Sequence, residues 1–447
     1  MKVAVIGAGW AGMAAALAHT ARGHQTTVLE ASRSLGGRAR ALPCCLPDGQ
    51  EIWLDNGQHL LIGAYAECLR LLRLVGVSAD QALLRLPLAL SFPDGSGLRL
   101  PDLPPPWDAL WGIARARGWS WRDRAALLRT ASAWRGRGFR CAPQTTVAAL
   151  CAGLTPRLRA EFIEPLCVSA LNTPADQACG QVFLRVLQDS LFSGRGGSNL
   201  LLPRCDLGAL FPDAAAQWLR GQGGEVRTGQ RVQSLAQRPD GRWQVDCGGA
   251  SPDGTDAPEA VFDHLTLACP PWEAARLVAG AAGLPAAQQA AARQWSACAG
   301  ALRFEAITTV YALAPGVRLA QPLLALRSTA GQPAQFVIDR GQLGGPPGLL
   351  AFVVSASQGE RAALERQVLE QARVQLALPV LQAVQTVVEK RATFACTPGL
   401  QRPATQVLPG LSACGDYVQG PYPATLEGAV LSGQAAAQQA CRDQDKP

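Results

Sequence analysis

Gly7-Ala8-Gly9-Trp10-Ala11-Gly12 carries glycines at G-x-G-x-x-G spacing, between the apolar run Val3-Ala4-Val5-Ile6 and a long alanine-rich stretch; Thr26-Thr27-Val28-Leu29 and then Glu30 follow. Residues of this kind hold an anionic ligand. Gly7 permits a tight turn, Gly9 lets a pyrophosphate approach the backbone, and Gly12 lets a helix pack closely on a strand. Ala8, Trp10 and Ala11 complete the turn, and the helix N-terminus beyond it offers unpaired N–H groups to phosphate. Glu30, at the expected distance of roughly 20 residues, is placed to accept ribose hydroxyls. Strand, glycine turn, helix, strand and acid together read as a dinucleotide-binding βαβ unit. A secretory signal fits the same residues poorly, because glycines interrupt the apolar run and Lys2 is its only basic residue.

Two further segments could serve the same ligand. In Ala31-Ser32-Arg33-Ser34-Leu35-Gly36-Gly37-Arg38-Ala39, paired glycines and an arginine could cradle more of the pyrophosphate. Near the other end of the chain, Leu411-Ser412-Ala413-Cys414-Gly415-Asp416 reads as a strand and Gly-Asp turn. A loop with Pro421-Tyr422-Pro423-Ala424-Thr425 follows, then a helix from Leu426 through Gly433. Asp416 could accept from ribityl hydroxyls while the helix N-terminus favours negative charge. A site assembled from both ends of the chain suits a ligand longer than a mononucleotide.

The elements that must position these loops are legible as patterns. Ala64 to Val75 has helical apolar spacing, which leaves Gly57-Gln58-His59 in a loop ahead of it. Ser91 to Pro106 reads as strand, turn, strand and linker. Glu225-Val226-Arg227, Arg231 to Leu235, Arg242 to Asp246 and Phe262 to Ala268 read as short strands of one small meander attached to the first sheet. Gln335 to Ile338 and Leu349 to Val354 read as later strands among helices, and no short-period repeat is visible.

At 447 residues the chain can hold about two or three domains. No run of about 18 apolar residues predicts a spanning helix. The 14 cysteines form no framework of repeated spacings and no zinc-type pairing, so they read as small hydrophobes in a reducing cytoplasm, with no metal site. Formal charge is +7, carried almost wholly by arginine, since the only lysines are Lys2, Lys390 and Lys446. The distribution says more. Trp107, Trp111, Trp119, Trp121, Trp134 and Phe139 are interleaved with Arg115, Arg117, Arg122, Arg124, Arg129, Arg135, Arg137 and Arg140. Indoles beside arginines suit an anionic membrane surface, and they equally suit ordinary amphipathic helices with solvated arginines. Nucleic acid is the least favoured partner, because no recognition module surrounds the segment.

Taken together, these segments resemble the flavoprotein superfamily of amine oxidases and carotenoid or phytoene desaturases. Gly7, Gly9, Gly12 and Glu30 match its nucleotide fingerprint, Leu35-Gly36-Gly37-Arg38 its second glycine motif, and Val232 its adenine-side strand. Gly415-Asp416 with Thr425-Leu426-Glu427-Gly428-Ala429-Val430 is similar to its flavin-side ending. The resemblance implies non-covalent FAD, with Gly57 also beside it, because neither Cys396 nor Cys414 sits in a tether motif. It implies a Rossmann-like α/β FAD-binding domain of the glutathione-reductase/amine-oxidase type, built from residues 1–85, 195–270 and 391–447. An interleaved α+β substrate domain, which would carry any membrane-facing surface, takes residues 86–194 and 271–390. Amine oxidation is disfavoured, since Lys2 lies before the first strand, Lys390 ahead of a later one and Lys446 in the tail.

Within that superfamily the wording is similar to the hydroxysqualene dehydroxylase family, also described as squalene-associated FAD-dependent desaturases. The match rests on Asp55-Asn56-Gly57-Gln58-His59, on Arg391-Ala392-Thr393-Phe394 with Thr397-Pro398 and Arg402-Pro403, and on Pro423 through Val430 with Ser432-Gly433. This implies reduction of a C30 allylic alcohol to squalene in bacterial hopanoid or isoprenoid synthesis, with a separate electron donor, in the cytoplasm or on the inner face of its membrane. The alternative is a desaturase or oxidase working in the opposite direction. Departure of the hydroxyl as water needs an acid, and His59 and Glu427 are the titratable candidates; His59 could instead pin its loop, and Glu427 could cap its own helix. Tyr422, Gln58 and Asn56 are candidates for shaping the pocket or holding the hydroxyl.

Overall fold

The computed structural model describes residues 1–192, 194–248, 260–378 and 380–444. Lys2–Ile6 sits within a six-stranded sheet whose order is Glu225–Thr228, Gln25–Glu30, Lys2–Ile6, His264–Leu267, Leu411–Ala413 and Gln406–Leu408. The first five run parallel, and the last pairs antiparallel to its neighbour. Parallel strands need crossovers, and their burial on both faces explains the continuous apolar runs. The helix Trp10–Thr20 is buried along most of its length because the last helix, Leu426–Gln444, lies across it. Gly433 makes that crossing: a Cβ there would come within 2.3 Å of the Ala11 carbonyl oxygen. The two ends of the sequence are thus packed together on one sheet.

The expected meander is smaller than its sequence pattern. Its three antiparallel strands are Ser234–Gln237, Trp243–Asp246 and Ala260–Phe262. Glu225–Thr228 belongs instead to the edge of the main sheet, where the preceding helix Pro212–Gly221 supplies a crossover to parallel pairing with Gln25–Glu30. The run from Phe262 to Ala268 is divided at Asp263, whose carboxylate accepts from the Lys2 backbone N–H at 2.7 Å, turning the chain from meander into main sheet. Val232 precedes the strand Ser234–Gln237 rather than lying in it.

A five-stranded antiparallel sheet forms the second layer, in the order Leu323–Ala325, Phe336–Asp339, Leu349–Ser355, Phe304–Leu313 and Gln382–Phe394. Lys390 lies inside its longest strand, not ahead of it, and that strand crosses the expected domain boundary between 390 and 391. Lys446 lies outside the described residues. Trp107–Arg115, Trp121–Gly136, Glu164–Leu171 and Gly180–Leu191 are helices of the intervening segment. The second of them starts at a reciprocal cap, in which Ser120 and Asp123 each accept from the other's backbone.

Candidate functional site

The glycine turns, the Gly57-Gln58-His59 loop and the Gly415-Asp416 turn converge on one cavity of about 870 Å³. Gly7, Gly9, Trp10, Ala11, Glu30, Gly36, Gly37, Arg38, Gly57, Val232, Gly415, Asp416, Thr425 and Leu426 line it, as do Gln58, His59, Tyr422 and Glu427. Ala8 and Gly12 do not. Gly12 acts beneath the surface: a Cβ there would lie 1.9 Å from the Gly7 carbonyl oxygen, so any side chain would break the turn. A Cβ on Gly9 would meet only the Gly36 carbonyl oxygen, at 3.9 Å, and would project into the space a ligand needs.

Charged groups around the turns are held in set positions. Glu30 accepts from the backbone N–H groups of Ala8 and Ser32, both at 2.7 Å, which fixes its carboxylate at the end of the strand. Arg38 donates to Asp416 at 2.5 Å and to the Ala392 carbonyl at 2.7 Å, joining the second glycine motif to the C-terminal turn. Asn56 donates to Glu389 at 2.9 Å, bringing a carboxylate of the antiparallel sheet to the cavity wall. Sequence reasoning missed Glu389, because nothing local marks one acid in a long strand as inward-facing.

Residues that line the cavity also hold buried polar atoms with no partner among the described residues: Trp10 Nε1, Gln58 Oε1 and the Tyr417 hydroxyl. Such atoms are costly to leave unpaired. Glycine cradle, positioned carboxylates and unpaired donors and acceptors fit a large, polar, phosphate-bearing cofactor.

His59 presents an imidazole tied at one side only. Its Nδ1 lies 2.8 Å from the Gly57 carbonyl oxygen, which fixes the proton there and leaves Nε2 without a partner in the described protein. Burial and the Arg38 charge hold its pKa below the ordinary histidine value, although the Gly57 bond opposes them. Gln58 donates to Asp55 at 3.3 Å. Asp55 is buried, its pKa pushed up to about 6 by desolvation, and it accepts from the Leu207 N–H at 2.9 Å. Tyr422 lies against Arg185, whose guanidinium sits 5.6 Å from the ring centroid.

Glu427 is otherwise engaged. Its two carboxylate oxygens accept from the backbone N–H groups of Glu67 and Cys68, each at 2.9 Å. It therefore caps Ala66–Leu74, a helix with no side-chain cap of its own, and not the helix that contains it. Both of its carboxylate oxygens are thus engaged by backbone N–H groups.

Away from the polar end, the cavity wall becomes apolar, with Leu90, Ile113, Leu127, Phe162, Phe336 and Val353 among its residues. The aromatic-arginine segment divides accordingly. Trp119, Trp134 and Phe139 are buried, and the latter two line the cavity, whereas Trp107, Trp111 and Trp121 are exposed. All 14 cysteines are free thiols. Cys396 and Cys414 are buried away from the cavity; Cys269 lines it, but burial pushes its thiol up to about 12.

A family model for flavin containing amine oxidoreductases matches residues 10–441. The chain is 26% identical over 461 residues to the hydroxysqualene dehydroxylase of Zymomonas mobilis, spanning 97% of each. It is 27% identical over 467 residues to that of Rhodopseudomonas palustris, again spanning 97% of each. Among solved structures it is similar to an oxidoreductase from Methanosarcina mazei, with a TM-score of 0.72 at 16% identity over 98% of this chain and 100% of that one. That likeness is one of fold.

Proposed function

The chain belongs to the family of flavin containing amine oxidoreductases, and from that premise we propose that it reductively removes the hydroxyl of hydroxysqualene to give squalene, using non-covalent FAD. The observation that carries this reading is the continuity of one cavity from the glycine cradle to an apolar chamber. A C30 isoprenoid alcohol has the matching form, a long hydrocarbon with one polar end. Burying hydrocarbon in such a chamber is favourable by about 25 cal/mol per Å² removed from water.

In this reading Gly9, Glu30, Arg38 and Asp416 hold the cofactor, which when bound supplies the hydride equivalent. The alcohol oxygen leaves as water after gaining a proton, and the allylic carbon gains the hydride, so one C–O bond breaks and one C–H bond forms. His59 is assigned to the hydroxyl, because its Nε2 is the unpartnered titratable atom of the polar loop. Gln58 and Asn56 shape the pocket around it, and Tyr422 closes the side next to Arg185. The apolar wall excludes water that would otherwise capture an allylic cation. Non-covalent binding is supported by the thiol of Cys269, half-buried on the cavity wall and held protonated by desolvation. The proposed setting is bacterial isoprenoid or hopanoid synthesis on the cytoplasmic side of the membrane; no helix among the described residues is long and apolar enough to cross one.

The test is anaerobic. Purified protein is photoreduced, hydroxysqualene is added, and the flavin spectrum and product mass are followed. Flavin reoxidation matched by squalene supports the proposal. A flavin that stays reduced, while the oxidised protein desaturates squalene or phytoene, refutes it in favour of a desaturase.

A further inference from the structure

The helix Trp107–Arg115 has two unlike faces. Ala109 and Ile113 line the chamber, while Trp107, Leu110 and Trp111, spaced to share a face, are 63%, 41% and 50% exposed. Leu103 before it and Trp121 after it add 40% and 72% exposed apolar side chains. The next helix, Trp121–Gly136, repeats the division, with Leu127, Ala131 and Trp134 lining the chamber. Large apolar residues this exposed mark an interaction surface.

Along residues 103–140 the exposed charge is of one sign. Arg115, Arg117, Arg122, Arg129, Arg135, Arg137 and Arg140 are exposed, and the only acids between 103 and 140, Asp108 and Asp123, are buried. None of these arginines takes part in an ion pair among the described residues. Arg115 lies over the Trp111 ring at 4.5 Å and Arg122 near the Trp121 ring at 5.6 Å, so cation and indole are presented together.

Beside this surface is a smaller cavity of about 310 Å³, walled by Pro105, Pro106, Arg135, Phe139, Gln188, Asp189 and Phe192. Phe139, Asp189 and Phe192 also line the large chamber. The Phe139 and Phe192 rings lie 5.1 Å apart, between the two spaces. Phe139 is held at a φ of 55°, a conformation bulky residues rarely adopt, which keeps its ring at this boundary.

We propose that the Trp107, Leu110 and Trp111 face, together with the exposed Trp121 of the next helix, docks on an anionic lipid bilayer, and that the small cavity is the mouth through which an apolar substrate passes Phe139 and Phe192 into the chamber. Indoles suit the headgroup boundary, and unpaired arginines suit anionic headgroups. A bilayer is favoured over a protein partner because the same helices that present the indoles wall a chamber whose ligand would be stored in lipid. The docking half stands on exposure and charge; the entry half rests on the isoprenoid reading above.

Flotation of the flavin-loaded protein with phosphatidylcholine vesicles containing roughly 30 mol% phosphatidylglycerol tests docking without any substrate. Binding is expected, weakened by salt, and a Trp107→Ala/Trp111→Ala/Trp121→Ala variant is expected to lose about tenfold or more in partitioning while its flavin content stays unchanged. No binding to anionic vesicles, binding that the variant retains in full, or an indole-dependent change in oligomeric state without vesicle binding would each overturn the docking. Turnover of hydroxysqualene from vesicles should fall in the variant while turnover from detergent micelles does not. Equal loss from both would overturn the entry route, and no turnover from either by the native protein would sink the substrate assignment while leaving the flotation result standing.

Discussion

Replacing Glu427 separates an acid from a cap. Its side chain is 4% exposed and supplies both acceptors for the first turn of Ala66–Leu74. Hydrogen bonds to a charged group contribute about 1.5–3 kcal/mol each, but two bonds to one carboxylate share its desolvation and are not additive. Glu427→Ala, which strands both N–H groups near the cavity wall, should cost about 2–4 kcal/mol. Glu427→Gln keeps one acceptor and turns an N–H₂ toward the other donor, so its cost should be about 1–2 kcal/mol. The assay is urea unfolding of the apoprotein followed by circular dichroism and tryptophan fluorescence. Because a chain of several modules need not unfold in one step, coincidence of the two probes is checked before midpoints are compared. Residual turnover of the Gln variant should keep the native pH profile. An unchanged unfolding midpoint with a fall in kcat of about 100-fold or more, the size of a lost general acid, would refute the capping argument and restore Glu427 as the proton donor.

Three other outcomes follow from the geometry. Gly9→Ala should fold normally and lose flavin, since its methyl meets only the ligand's space, whereas Gly12→Ala should lose both flavin and thermal stability because its methyl strikes the Gly7 carbonyl; circular dichroism and flavin content distinguish them, and a flavin-replete Gly12→Ala would be contrary evidence. His264, buried beside Ser412 at 2.9 Å, has its pKa pushed down to about 4 by burial. Folding therefore favours its neutral form, a contribution present in full above the ordinary value near 6.5 and lost as pH falls toward 4, worth at most about 3 kcal/mol. Urea midpoints of the native protein should drop over that window more steeply than those of His264→Gln, and parallel slopes would disprove the linkage. His59→Ala should retain flavin and lose about 100-fold or more in turnover. If His59 acts in its protonated form, native turnover declines as pH rises through a value below 6.5, its pKa being lowered; near-normal turnover of the variant excludes the role.

The parts of the site that sequence made readable are those whose function is local backbone geometry. Glycine spacing implies a turn and a helix N-terminus whatever the rest of the chain does, so the two glycine loops and the Gly415-Asp416 turn could be read at once. Glu427 could not, because its partners are backbone groups of a helix some 360 positions away. The same limit explains the meander: Glu225–Thr228 has ordinary strand composition, and its place in the main sheet is decided by which edge is open beside Gln25–Glu30. For the aromatic segment, Trp119 and Trp121 are neighbours of one type, and only packing makes the first buried and the second 72% exposed.

The family model is written for amine oxidoreductases, whereas the proposed function takes a neutral alcohol, and the charges on the cavity wall bear on that difference. Each carboxylate on its wall is already partnered: Glu30 with two backbone N–H groups, Asp416 with Arg38, Glu389 with Asn56, Asp189 with Arg185, Glu273 with Arg276 and Glu427 with the helix it caps. Neither Lys2 nor Lys390 reaches the wall. Asp416, Asp189 and Glu273 are neutralised by arginines, so a substrate ammonium would compete for them with a resident cation, whereas Glu30, Glu389 and Glu427 accept from neutral N–H donors and keep their charge. A hydrocarbon with one hydroxyl enters no such competition: its chain gains from every wall it touches, and its O–H can donate to the unpaired Nε2 of His59. In the proposed function, the pairing of three wall carboxylates with arginines thus favours a lipid alcohol over an ammonium at those positions.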